Sequence, residues 1–243
     1  MFDEINNMVD SCANLDDLFM LWKKAHVAEE NYEETTVTDT LTNKSSKTAY
    51  GGISKDSFIK DGYIDEESYK KASKKILFIL KEANIQAYRS ENDLHNPSEA
   101  SQICFYRNYI CSEEEKPKVL NTPRQQEKMG RIAHYIFTGS KIADIKEVKN
   151  ALKCCAFMNI NKRGGSNKAS KVNAYLSKYQ KFVNKQIEIL SPDFIIIVGK
   201  TIDTRFISSN GAKIIVLNHT ADYFHGTYRV EKYVDNFIDK YTK

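Results

Sequence analysis

Four short apolar runs punctuate the chain after residue 75. Ile76-Leu77-Phe78-Ile79-Leu80, Cys154-Cys155-Ala156-Phe157-Met158, Phe194-Ile195-Ile196-Ile197-Val198 and Ile214-Ile215-Val216-Leu217 are continuous rather than alternating. That is the pattern of strands covered on both faces. The third is the clearest, entered through Ser191-Pro192-Asp193 and left through Gly199. Helical stretches lie between them at about 124–138, 143–152 and 172–190. In the last of these, Val172, Leu176, Tyr179, Val183, Ile187 and Leu190 recur at helical spacing. Strands alternating with helices require crossover connections and a mainly parallel sheet. The pattern therefore predicts an α/β fold: a three-layer α/β/α sandwich on a mainly parallel four-stranded central sheet.

The residues before this region read differently. Asn14 to about Glu30 predicts a helix, with Asn14 as N-cap, Asp16 and Asp17 at its positive end, and Leu15, Leu18, Phe19, Trp22 and His26 on one face. TTVTDTLTNKSSKTAYGG, residues 35–52, is polar, Thr/Ser-rich and without period, and reads as a long loop. The expected division is a helical extension and polar loop over 1–70, packed on a core domain over 71–243. No internal repeat is visible.

Composition narrows the class. The 243 residues are 41% hydrophobic and 28% charged, the proportions of a soluble globular protein. No apolar run approaches the roughly 18 residues of a membrane span. The acidic opening MFDEINNMVD carries no secretory pattern, so a cytoplasmic location without membrane attachment is expected. Five cysteines (Cys12, Cys104, Cys111, Cys154 and Cys155) form no CxxC pair and lie at no ligand spacing from a His. Reduced thiols, no metal and no cofactor are expected. The net charge of +4 divides unevenly: residues 1–35 hold 2 Lys+Arg against 9 Asp+Glu, and residues 141–185 hold 11 against 2. The basic segment suggests a surface for polyanions, with a solvated helix face as its plain alternative.

In open α/β sheets ligands lie outside the carboxyl ends of the strands. The text after each run is Lys81-Glu82-Ala83-Asn84, Asn159-Ile160-Asn161-Lys162-Arg163-Gly164-Gly165, Gly199-Lys200-Thr201 and Asn218-His219-Thr220. Glu, Asn, Lys and His thereby arrive at one edge of one sheet. The segments ILFILKEAN, FMNINKRGGSN, IEILSPDFIIIVGK and IVLNHT, in that order, resemble the motifs of the uracil-DNA glycosylase superfamily. GGISKDSFIKDGYIDEESY resembles an upstream segment of some bacterial members. The resemblance covers roughly residues 50–225 and rests on the order and spacing of short motifs.

The resemblance implies roles. Glu82 matches the Glu of a GEAPG-type first motif, while Ala83 stands where other members carry a catalytic Asp or Asn, and Asn84 replaces a Pro. Asn159 matches the strand-end Asn that bonds the edge of the extruded pyrimidine. His219 matches the His of the closing motif, which stabilises charge on the departing base, and Thr220 replaces its Pro. The catalytic pair is then Glu82 and His219, with Asn159 and Asn84 at the base; Tyr88 and Phe105 are the candidate aromatic platforms that base flipping calls for, with ordinary core as the plain alternative for Tyr88.

The chemistry calls for these residue types. Breaking an N-glycosidic bond leaves positive charge on the sugar and negative charge on the base, so a carboxylate and a His or amide donor are both useful. The target must leave the stack, which calls for aromatic surfaces and a basic groove. DNA contacts are expected from Asn161, Lys162, Arg163, Gly164, Gly165 and Lys168 of the glycine-containing loop, with Lys200 and Thr220. The loop lacks Walker spacing, so no nucleotide triphosphate is expected.

The resulting expectation is a monomeric DNA glycosylase, in repair or anti-phage defence, that excises a pyrimidine or a modified pyrimidine. The rivals are a non-catalytic nucleic-acid-binding module of the same fold and a small-molecule α/β enzyme.

Overall fold

The computed structural model describes residues 1–29, 34–38, 45–49, 58–84, 109–111, 123–165, 171–220 and 229–242. The apolar runs become the four parallel strands of a five-stranded sheet. Its strands are β3 (Gly62–Tyr63), β4 (Ile76–Asn84), β5 (Cys155–Gly165), β6 (Phe194–Val198) and β7 (Lys213–Leu217). They lie in the order β3-β5-β4-β6-β7. β5, β4, β6 and β7 run parallel, and β3 adds an antiparallel edge through Gly62 opposite Phe157 and Tyr63 opposite Ala156. The expected count of four strands is therefore one short. β3 has only two residues, too few to leave a period in the sequence.

Alternation along the central strands explains their continuous hydrophobicity. Leu77 and Ile79 of β4, Met158 and Ile160 of β5, and Ile195 and Ile197 of β6 join one apolar cluster. Its other members include Leu18, Trp22 and Ala25 of α2 (Leu15–Ala28), Tyr175 of α6 (Val172–Lys178) and Val183 and Ile187 of α7 (Gln180–Leu190). Ile76, Phe78, Leu80, Phe157, Ile196, Val198 and Leu217 face the opposite way. They meet Met129 and Ile132 of α4 (Pro123–Thr138), Leu152 of α5 (Ile145–Lys153) and Phe237 of α8 (Val230–Tyr241). Helices cover both faces, giving the three-layer α/β/α arrangement. No helix among the described residues is long and apolar enough to cross a membrane.

Local signals account for several boundaries. The Asn14 side chain caps α2 by accepting from the Asp17 amide at 2.9 Å. Asp144 and Glu147 form a reciprocal capping box at the start of α5. The stretch expected as one helix over 172–190 is two, because Tyr179 leaves helical geometry at φ −102°, ψ 19°. Its ring stacks on Tyr175 at 4.4 Å and its hydroxyl donates to Glu29 at 2.7 Å, tertiary contacts that a helical period does not encode.

The polar segment expected as a loop contains β1 (Glu34–Thr38) and β2 (Ser45–Ala49), paired antiparallel with Glu34 opposite Ala49. Thr35, Thr36, Val37 and Thr38 supply the β-branched residues that favour a strand even without apolar alternation.

One close approach fixes the α4–α5 packing. A Cβ added at Gly130 would lie 2.6 Å from Val148 Cγ1 and 2.7 Å from the Val148 carbonyl oxygen. The backbone oxygen cannot swing aside as a side-chain tip can. Gly130→Ala is therefore expected to cost about 1–3 kcal/mol through overpacking, despite alanine's better helix propensity. A chemical-denaturation curve checks this, and an unchanged or raised stability contradicts it.

Candidate active site

The parallel strands run second, first, third, fourth across the sheet, so the chain reverses its direction of progress between β4 and β6. Ligands of doubly wound sheets bind beyond the carboxyl ends at such a point. Here β4 and β5 extend further than their apolar cores. Leu80 pairs with Asn159, Glu82 with Asn161 and Asn84 with Gly165. Glu82 and Asn159 are thus strand residues rather than the loop and strand-end residues expected. Alternation from Leu80 and Phe157 puts both on the face covered by α4, α5 and α8. Strand spacing and rise separate their Cα atoms by about 8 Å.

Asn159 is the most informative side chain. It is 1% exposed, and among the described residues neither its amide oxygen nor its amide nitrogen has a hydrogen-bond partner. Its backbone N–H donates to Asp61 Oδ2 at 2.7 Å, which holds the strand in place without engaging the side chain. A buried amide without partners costs on the order of 1–3 kcal/mol. Such a group calls for a partner from outside the chain, a water or a ligand.

The register shifts between Glu82 and Asn84, where two positions on β4 span four on β5. This bulge changes the fate of the residues expected to grip DNA. Lys162 and Arg163 are neighbours, which regular alternation would send to opposite faces, yet both turn into the α2 and α7 side. The Lys162 ammonium donates to both Asp61 oxygens at 2.7 and 2.6 Å and lies 5.1 Å from the Trp22 ring. Asp61 also accepts from Gln186 Nε2 at 2.7 Å. Arg163 Nη2 donates to Glu29 at 3.0 Å, to the Tyr179 hydroxyl at 3.2 Å and to the His26 carbonyl at 3.2 Å. Lys178 reaches the same Glu29 at 2.6 Å.

Both cationic side chains are 0% exposed, so the expectation that Lys162 and Arg163 contact phosphates is corrected. They are structural ions, and burial pushes the Lys162 ammonium down to about 8 against the pull of Asp61. Asn161 is corrected likewise: it is buried and accepts the Arg163 amide at 3.0 Å, which holds the bulge. Gly164 and Gly165 close β5 instead of forming a loop. Asp61 and Glu29 lie about a hundred residues or more before their partners, so no local pattern announces these pairs.

The other edge positions keep a surface character. Gly199 leaves β6 at φ 143°, a conformation costly for any side chain, and hands the exposed Lys200 to the carboxyl edge. His219 is exposed between two buried neighbours, Asn218 and Thr220. The Tyr233 hydroxyl donates to the Asn218 carbonyl at 2.8 Å, and Lys128 Nζ donates to the Thr220 carbonyl at 2.5 Å. The backbone on both sides of His219 is therefore pinned from α8 and α4. Thr220 serves through this buried carbonyl contact rather than as an open surface for phosphate.

Sequence reasoning missed Lys128 and Tyr233, because each reads as an ordinary member of an amphipathic helix. It also missed Asp61. The side chain of Asn84, and Tyr88, Phe105 and Lys168, lie outside the described residues. An open groove of about 370 Å³ beside α7, lined by Asp10, Lys181, Lys185 and Glu188 among others, includes none of the site residues. Its charges are already paired, Lys181 with Asp10 at 2.9 Å and Lys185 with Glu188 at 2.7 Å.

Glu82, Asn159 and His219 thus offer a carboxylate, an uncommitted amide and an exposed imidazole at one edge of the sheet. Compared with protein-family models, with curated proteins and with solved structures, the chain matches none.

Proposed function

We propose that the protein is a DNA glycosylase of the uracil-DNA glycosylase kind, which extrudes a pyrimidine and hydrolyses its N-glycosidic bond. The observation that carries this reading is the Asn159 side chain, buried with donor and acceptor both uncommitted. A pyrimidine edge presents one donor and one acceptor side by side, the complement of an amide.

In the reaction, the bond between C1′ and the base nitrogen breaks with its electron pair passing to the base. The His219 imidazole donates toward the base oxygen that gathers this charge. Water supplies the oxygen that bonds C1′, and the Glu82 carboxylate stabilises the sugar cation and takes the water proton. With Lys162, Arg163 and Asn161 committed to the interior, backbone attraction at the described edge falls to Lys200. Within this reading the protein acts as a monomer on cytoplasmic DNA, in repair or in defence against phage.

A non-catalytic DNA-binding module is the second reading. It is favoured by Ala83, which stands where the resemblance places a catalytic carboxylate. Single-turnover abasic-site formation separates the two, using oligonucleotides that carry uracil, mismatched thymine, hydroxymethylcytosine or glucosylated hydroxymethylcytosine. Abasic sites from at least one substrate are expected, and none from any supports the binding module.

Asn159→Leu adds a signed test. Leucine keeps the branched skeleton and removes the orphaned amide, so the variant should melt higher than the parent while losing base release. A lower melting temperature would show that Asn159 is structural.

A further inference from the structure

The break at Tyr179 divides a segment whose hydrophobic period is that of one helix. Val172, Leu176, Tyr179, Val183, Ile187 and Leu190 are all buried in the same apolar cluster, so α6 and α7 present one continuous stripe. A sharp break in a helix normally has a local cause, such as a Pro, a Gly or an inserted group. Residues 176–182, Leu-Ser-Lys-Tyr-Gln-Lys-Phe, contain neither Pro nor Gly. The break is imposed from outside the segment.

The N-terminal extension imposes it. The Glu29 carboxylate, at the C-cap of α2, accepts from the Tyr179 hydroxyl at 2.7 Å, from Arg163 Nη2 at 3.0 Å and from Lys178 Nζ at 2.6 Å. The Tyr179 ring lies edge-on to Phe2 of α1 (Phe2–Asn7) at 5.5 Å and to His26 of α2 at 5.1 Å. Backbone bonding pulls the other way. Gln180, Lys181 and Phe182 open α7, where amides have no intrahelical acceptor. In one continuous helix they would bond the carbonyls of Leu176, Ser177 and Lys178. Two arrangements of one stripe therefore compete, one favoured by the extension and the other by the backbone.

The two helices are not tied equally. Gln186 Nε2 of α7 donates to Asp61 at 2.7 Å, and Asn184 Oδ1 accepts the Ser208 amide at 2.9 Å. By contrast, α6 has 7 residues and no side-chain N-cap. Its Asn173 clasps the turn beyond β6: Nδ2 donates to the Thr201 carbonyl at 2.8 Å, and Oδ1 accepts the Asp203 amide at 2.9 Å. A movement of α6 therefore reaches the turn that carries Lys200.

We propose that the Tyr179 break is a conformational switch through which the N-terminal extension sets the shape of the carboxyl edge. While Glu29 holds Tyr179 and Arg163, α6 and α7 stay separate and Asn173 grips the turn at 199–203. When Glu29 withdraws, residues 172–190 join into one helix, α6 swings about Tyr179, and Asn173 releases the turn. Each state has contacts that the other lacks, which is what a two-state element requires. The switch acts on the edge whatever reaction the edge serves.

Amide hydrogen exchange, read residue by residue by NMR on the full-length protein, tests this with two variants. Tyr179→Phe keeps the ring and removes the hydroxyl; Glu29→Gln keeps the shape and removes the charge. In both, the amides of Gln180, Lys181 and Phe182 should gain protection by about tenfold or more, while the Asp203 amide loses protection. The opposite signs are diagnostic, because simple destabilisation lowers protection throughout. Lys178→Gln removes the partner of Glu29 that reaches solvent, and should give the same pattern at smaller amplitude. It decides alone if the two buried variants do not fold. Uniform loss of protection, no change, or a gain at 180–182 without the loss at Asp203 overturns the proposal.

Discussion

Lys162→Ala is expected to lower folding stability by about 3–5 kcal/mol, the cost of leaving one member of a buried ion pair alone. The ammonium and Asp61 are both fully buried, and Asp61 cannot move to water when its partner goes. Asp61 also accepts from Gln186 Nε2 and from the Asn159 backbone N–H, so any readjustment is transmitted to β5. Lys162→Met keeps most of the side-chain volume and separates loss of charge from loss of packing; it should cost nearly as much if the charge dominates.

A pH series sharpens the test. With its folded-state value depressed to about 8, Lys162 sheds its proton earlier in the folded state than in the unfolded one. Between about 8 and the ordinary lysine value the unfolded chain therefore binds more protons at this site. The Lys162 contribution to stability must then rise with pH across that window. Below it the full cost of the buried charge is present. The stability difference between parent and Lys162→Met should accordingly widen as pH rises from 8 to 10, measured by urea denaturation. A loss under 1 kcal/mol in both variants would show that the pair is dispensable. Neither variant is expected to change the salt dependence of DNA binding except through loss of fold, because a buried ammonium releases no phosphate counterion.

The sequence discloses much of the sheet and little of the ion network, for one physical reason. Local signals reach a few residues, and the network spans more than a hundred. The run Phe194–Val198 reads as a covered strand and is one, to the residue. The caps at Asn14 and Asp144 are legible because N-cap chemistry closes within three residues. By contrast, Lys162 and Arg163 have the composition of a phosphate-binding loop; alternation from Met158 and Ile160 sends Lys162 inward, and the bulge sends Arg163 the same way. Burial inverts the meaning of a basic dipeptide, and burial is a property of the partner strands and of α2. The carboxyl-edge rule, however, needs only strand direction. It brings Glu82, Asn159 and His219 into view from the sequence, although the extension of β4 and β5 moves the first two from loop to strand.

The second large effect is expected at Glu82 and His219. Glu82→Gln keeps the shape and removes the charge, and His219→Ala removes the donor. Each should slow single-turnover base release by about 10²-fold or more, equivalent to about 2.7 kcal/mol of transition-state stabilisation. His219→Ala should hardly change stability. His219 is exposed, and the carbonyls flanking it remain held by Tyr233 and Lys128 when the imidazole is gone.

That anchoring supplies a control. Tyr233→Phe and Lys128→Met loosen the backbone beside His219 through the flanking carbonyls, and each should slow base release less than His219→Ala does. Combined with His219→Ala, either anchor variant should add little, because the group being positioned is already absent. Melting curves beside each rate separate chemistry from folding. Parent-like rates in both Glu82→Gln and His219→Ala would remove these residues from the mechanism. Additive losses in the double variants would assign Tyr233 and Lys128 to the core alone.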